Sequence, residues 1–313
     1  MGEPTSLLNR PAIFAGWSVS ETNLKFLHMT TELVIDAQLV KTLREKTGAG
    51  LMECKRALAE TQGDLEAAVD FLRKKGAASA AKKADREAKE GVIAQSILPG
   101  SKVGVLAEVN CETDFVAKNE DFKALGDAVA KAFAENPSAD VEALRVAAVQ
   151  KMGENIQVRR NVRLEVQGSG LVASYIHMGA KVGVLAEVGC TNDATTQTEE
   201  FKQLVRDITL QIAAASPVCV SRESVPQALA DREREVYRGQ VPAGKPANIV
   251  EKIVDGKMDK FFSGVCLIDQ AFIKNPDQTI GQLIAEKNKA LGESISIRRF
   301  VRFMVGEEIA PVA

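Results

Sequence analysis

Aromatic side chains make up only 5% of this 313-residue chain, with one tryptophan and two tyrosines among them. So few flat rings leave little on which unpaired bases could stack, which argues against a single-strand nucleic-acid platform. An excess of positive charge is missing too. The net charge is −2 and the pI about 5.9, so no basic field gathers phosphate backbones and no direct nucleic-acid contact is expected. No apolar run reaches the roughly 18 residues that a membrane-crossing helix needs. Histidine occurs twice, at His28 and His177, and no Ser/His/Asp set, carboxylate cluster or G-x-S-x-G elbow accompanies it. The sequence thus reads as a binding protein and not an enzyme, with no catalytic residue, metal site or cofactor assigned. The five cysteines (Cys54, Cys111, Cys190, Cys219, Cys266) form no C-x-x-C pair. They suggest small buried residues in a reducing cytoplasm, not a zinc site or a disulfide framework.

What the chain does have is a duplication. The octapeptide KVGVLAEV occurs at Lys102–Val109 and again, 79 residues on, at Lys181–Val188. GENIQVRRNVRLEV (Gly153–Val166) matches GESISIRRFVRFMV (Gly292–Val305) at an offset of 139. The difference of 60 residues is an insertion in the second copy, bracketed between about residues 215 and 274. Each copy predicts a strand (Val92–Ile97; Leu171–His177), a hairpin turn at Gly100 or Gly179, the KVGVLAEV strand, a helix (Asp121–Ala134; Thr198–Ala215), a second helix and a closing strand. Apolar and polar residues largely alternate in Ile156–Val166 and Ile295–Val305, which predicts an antiparallel sheet with one solvated face. The fold class is α+β, with core repeats over residues 91–168 and 169–309.

Three short helices precede the repeats, over residues 31–76. Asp36 caps the first, Thr47–Gly50 breaks it, Leu51, Cys54 and Leu58 line the second, and Gly63-Asp64 opens the third. Gly76 is expected to close that helix, and the Ala/Lys-rich stretch 77–90 to be a solvated helical linker. Residues 1–28, which hold Trp17, lack periodicity and are expected to be a disordered extension. Within the insertion, residues 223–263 predict two amphipathic helices around a Gly/Pro-rich turn. The second carries Val250, Val254, Met258, Phe261 and Val265 on one stripe. Such a hairpin is expected to project as an antiparallel arm. Gly239–Lys245 fits G-x-x-x-x-G-K, but Pro246 replaces the Ser/Thr of a P-loop, and Gly168–Ala173 opens no helix, so neither is a nucleotide fingerprint.

One short segment distinguishes the repeats. After the first octapeptide comes Cys111-Glu112-Thr113-Asp114-Phe115-Val116; after the second, Cys190-Thr191-Asn192-Asp193-Ala194-Thr195. Phe115 has Ala194 as its counterpart. A shared core position would keep its volume, whereas an aromatic beside an acid on a loop has the composition of an interaction hot spot. A core residue packed under the next helix is the competing reading.

Thr47-Gly48-Ala49-Gly50-Leu51-Met52-Glu53-Cys54-Lys55, then Cys111–Ala117, then Gly153-Glu154-Asn155-Ile156 resemble the elongation factor Ts family in order and spacing, from about Met29 to Ile309. The resemblance implies a ubiquitin-associated-like N-terminal module, two related core subdomains and a coiled-coil arm. It implies a partner, the translation GTPase elongation factor Tu, whose GDP release the family accelerates, and a dimer is among the arrangements such complexes take. Asp114 and Phe115, with Thr113 and Val116 beside them, would enter the GTPase near its magnesium and phosphate site. Arg44, Leu51 and Met52 would contact it from the helical module, and His177 from the second repeat. Relatives often end in a further helix that also touches the GTPase; the sequence shows none after its last strand, so that contact is expected to be absent. The competing class is a structural or RNA-associated translation protein without exchange activity.

Overall fold

The structure, a computed structural model, describes residues 35–309; the expectation for residues 1–28 lies outside them. Asp36 opens α1 (Ala37–Thr47), its carboxylate accepting from Gln38 N at 3.0 Å, and Gly48 closes it at φ 66°. α2 (Leu51–Glu60) follows, and Asp64 caps α3 (Leu65–Lys83) by accepting from Ala67 N. Leu43, Cys54, Leu58, Ala68 and Leu72 bury one face of each helix in a common centre.

Gly76 does not end α3, contrary to the sequence expectation. The helix runs on to Lys83, so half of the expected linker is helix, and Ala80 is buried in the core of the first repeat. A Cβ on Gly76 would lie 2.3 Å from Gln150 Cδ, and Gln150 Nε2 donates to Leu72 O at 2.9 Å. The glycine therefore serves close approach between α3 and its neighbour, while the alanines around it sustain the helix.

The first repeat comprises β1 (Glu90–Ile97), β2 (Val103–Cys111), α4 (Asp114–Ala117), α5 (Glu120–Glu135), α6 (Glu142–Met152) and β3 (Gln157–Glu165). Its sheet is antiparallel in the order β1-β2-β3. In α5, Phe122, Leu125, Val129 and Phe133 recur at spacings of three and four, forming the stripe that covers the sheet. The second repeat has β4 (Gly170–Ile176), β5 (Val182–Gly189), α7 (Glu199–Ala215), α8 (Gln227–Gly239), α9 (Ala247–Val265), a two-stranded ribbon of β6 (Ala271–Phe272) and β7 (Asn275–Thr279), α10 (Ile280–Leu291) and β8 (Ser296–Met304). Its sheet, β4-β5-β8, repeats the pattern of the first. α8 and α9 form an antiparallel hairpin: Arg238 pairs with Glu251 and Arg234 with Asp255, each at 2.9 Å. α8 has no buried residue.

The expected solvated sheet face is also corrected. The face turned away from the helices packs against the sheet of the other repeat, through Ile93, Leu106 and Leu164 on one side and Val172, Leu185 and Phe303 on the other. Within the octapeptide, valine, alanine and valine face the helices, leucine faces the other sheet, and glycine makes room. A Cβ on Gly104 would lie 2.6 Å from Val172 Cγ1, and one on Gly183 2.4 Å from Ile93 Cγ2.

Charge fastens this sheet pair as well. Glu108 and Glu187, at the same place in each octapeptide, are fully buried. A β-bulge opposite each carries an arginine pair, Arg159-Arg160 or Arg298-Arg299, and both members of each pair reach the carboxylate. Each carboxylate also accepts a backbone N–H from the end of the other repeat, Gly306 N to Glu108 at 2.8 Å and Gln167 N to Glu187 at 2.8 Å. Burial pushes the Glu108 carboxyl up, but the Gly306 N–H and the Arg160 guanidinium outweigh it and hold its pKa below the ordinary 4.5.

Candidate functional site

The segment after β2 is held from beneath and open above. Glu154, at the start of the second duplicated motif, accepts from Glu112 N and Thr113 N, each at 3.0 Å, and from Thr113 Oγ1 at 2.6 Å. Glu112 returns the contact by accepting from Asn155 N at 2.6 Å. Asn155 is fully buried and donates to Ala84 O and Arg86 O just beyond α3. Two backbone N–H groups of the turn are therefore satisfied by one carboxylate, which fixes the turn without a longer loop. Thr113 is the N-cap of α4; Ala117 is buried, and half-buried Val116 packs on the core.

Asp114 and Phe115 face outward. Phe115 is 82% exposed, which rules out the reading that packs it under the following helix. A large ring left in water on a clamped turn contributes nothing to the fold and is available to a partner. The Asp114 carboxylate bonds Lys118 at 2.7 Å, and that ammonium holds its pKa below the ordinary 3.8. Cys111 beneath the loop is buried, which pushes its thiol up to about 12; it is a packing residue, not a nucleophile.

The other sequence-predicted residues fall around the same end of the first repeat. His177 is exposed in the β4–β5 turn, its Nδ1 3.3 Å from Tyr175 Oη. That turn crosses the start of β1: Ala180 O accepts from Ile93 N at 2.7 Å, and Lys181 reaches Glu90 at 2.5 Å. Because Glu90 pairs with Cys111 in the sheet, the turn lies beside the Thr113–Val116 segment. Arg44, Leu51 and Met52 are exposed around the α1–α2 turn. Thr47 and Gly48 of that turn line a cleft with Asp121 and Lys151, next to the start of α5, the helix that follows α4. The sequence reading did not assign a role to Glu112, Glu154 or Asn155. The signal for Glu154 was the Gly-Glu pair repeated at 153–154 and 292–293, since Glu293 grips the matching turn through Thr191 N at 2.9 Å and the Thr195 hydroxyl. Met178, 88% exposed beside His177, was also missed, because an isolated methionine carries no periodic signal.

The matching turn in the second repeat presents Ala194 and ties its acid to neighbouring strands, with Asp193 accepting from Lys102 at 2.6 Å and Gly170 N at 2.9 Å. The scaffold is shared, and only the first copy displays a ring beside its carboxylate. Among the described residues no group of three or more His, Cys, Asp and Glu could hold a metal ion, and no helix is long and apolar enough to cross a membrane. The arrangement is suited to recognition.

Comparison with known proteins points the same way. The family model described as elongation factor TS matches residues 112–307. The chain is 44% identical to elongation factor Ts of Clostridium botulinum over 294 residues, covering 89% of this chain and 95% of the relative. Elongation factor Ts of Chloroherpeton thalassium is 44% identical over 88% of this chain and 99% of its own. That of Trichlorobacter lovleyi is 42% identical over 88% and 94%.

Proposed function

The chain belongs to the elongation factor Ts family, and on that premise we propose that it is a guanine nucleotide exchange factor for elongation factor Tu, acting in the cytoplasm during translation elongation. In this reading the Asp114-Phe115 turn enters the GTPase near its magnesium and phosphate site. The ring displaces side chains that support the nucleotide, and the carboxylate brings negative charge towards the phosphates. Arg44, Leu51 and Met52 on the helical module, read as ubiquitin-associated-like, and His177 on the second repeat extend the contact. The α8–α9 hairpin is read as a coiled-coil arm.

The observation that carries the reading is the 82% exposure of Phe115 on a turn fixed by Glu154. A preformed wedge loses little conformational freedom on binding, so its contact energy is available to deform the partner. Exchange requires that the chain bind the empty GTPase more tightly than the GDP-bound one. The test is release of labelled GDP from elongation factor Tu on addition of the chain. Acceleration that Phe115→Ala removes supports the reading; release at the spontaneous rate with the unaltered chain overturns it.

A further inference from the structure

Around each turn the same three residue types recur at an offset of 79: Lys102, Gly170 and Asp193 on one side, Lys181, Gly91 and Asp114 on the other, the glycine and aspartate belonging to one repeat and the lysine to the other. The lysine is supplied by the hairpin of the opposite repeat. Its ammonium is seated on the glycine carbonyl in both cases, Lys102 on Gly170 O at 2.8 Å and Lys181 on Gly91 O at 3.0 Å. The two glycines share an extended, positive-φ backbone, at 137° and 150°, so the seats are built alike.

The second partner of the ammonium differs. Lys102 takes Asp193 at 2.6 Å, and Gly170 N donates to the same oxygen. Lys181 takes Glu90 at 2.5 Å instead. Asp114 is left with Lys118 on its own short helix, an i,i+4 pair in which both side chains are well exposed. The sequence explains the divergence: Glu90 stands where the second repeat has Ser169, and Lys118 where it has Gln197. A serine hydroxyl carries no charge to draw the ammonium away from the aspartate; a glutamate does.

We propose that Glu90 is a positioning residue for exchange, which holds Lys181 and so keeps the Asp114 carboxylate from being captured in the way that Asp193 is. The proposal rests on the reading of Asp114 as a group that engages the GTPase. An acid tied to a rigid hairpin and a backbone N–H would have to break both contacts before meeting a partner. An acid paired with an exposed lysine four residues away gives up a contact of little net worth. The duplication thus provides two states of one device: the acid is tied to the opposite hairpin and to a backbone N–H in the second repeat, and paired with a lysine of its own short helix in the first.

The test copies the second repeat into the first. Glu90→Ser frees Lys181 to take Asp114, and GDP release at sub-saturating chain should slow about two- to fivefold, the range spanned by one half-exposed ion pair. Adding Lys181→Met to Glu90→Ser should restore the rate, since no ammonium is left to capture the acid. A slowing that the second substitution does not reverse overturns the proposal. So does an unchanged rate in Glu90→Ser when Asp114→Asn is slow, a result that leaves the exchange reading intact. If Asp114→Asn is also unchanged, the role of Asp114 itself fails and the proposal with it. Should Glu90→Ser melt well below the unaltered chain, the reverse change is read: Ser169→Glu should draw Lys102 off Asp193 and move the Asp193 carboxyl titration, followed by NMR, up towards its ordinary value. A titration that stays in place overturns the proposal.

Discussion

At the scale of the residue, the fold and the proposed activity draw on different side chains. Phe115 is exposed and Phe122, seven positions on, is fully buried. Phe115→Ala should leave the melting temperature nearly unchanged and weaken the complex by about 2 kcal/mol or more, roughly thirtyfold in affinity. Thermal melts and GDP-release kinetics on the same sample separate the two effects. Glu108 is the opposite case. Its folded pKa lies below 4.5, so the stability it contributes is fully present above that value and is lost as the pH falls through the folded pKa. Glu108→Gln leaves Arg159 and Arg160 facing a neutral group and should cost about 3–5 kcal/mol. Melts across the acid range should show less pH dependence below 4.5 in the variant than in the unaltered chain. Phe115 could be singled out in the sequence because its counterpart is Ala194. Glu108 could not: a glutamate in an apolar run reads as an outward-facing residue, and the arginine pair that neutralises it lies about fifty residues away across a bulge.

At the scale of the element, the helices and hairpins were legible because their signals are local. Asp36 and Asp64 cap where capping residues were expected to stand, and Gly100 and Gly179 sit at positive φ in matching turns. Gly76 misled because a glycine near the end of a helical run can be either a terminator or a contact, and only Gln150 decides which. The α8–α9 hairpin gives a prediction at this scale. Val254 and Met258 are buried yet belong to neither sheet's core, so the hairpin buries mainly itself. Replacing residues 223–263 with a short Gly/Ser linker should leave a cooperatively unfolding protein, because loop-closure cost changes by only about 0.6 kcal/mol per doubling of length. GDP release should persist, as the Asp114-Phe115 turn belongs to the other repeat. Circular dichroism melts check the first claim and the release assay the second.

At the scale of the whole molecule, two copies of one α+β unit are joined back to back, and the joint depends on glycine. The run VGVLA in the octapeptide is apolar on both faces, which signals a strand buried on both sides. The alternation in the closing strands pointed instead to a solvated face, because the arginines there read as solvent-facing although they grip buried carboxylates. Gly183→Val would drive side-chain atoms into Ile93 and Leu106 across the joint and should cost about 1–3 kcal/mol. Chemical denaturation should register that loss, with the release rate per folded molecule little altered.

The joint also explains why turns from both repeats meet at one end: each β-hairpin crosses the first strand of the other repeat, bringing the turn that carries His177 and Met178 against the start of β1, whose Glu90 pairs with Cys111 just before the Asp114-Phe115 turn. If that end engages the GTPase as proposed, the chain must discriminate between nucleotide states. Calorimetric titration of the chain into nucleotide-free and into GDP-bound elongation factor Tu measures this directly. Tighter binding to the nucleotide-free form, by the same factor by which the chain weakens GDP binding, is the predicted result; equal affinity for the two forms would contradict it.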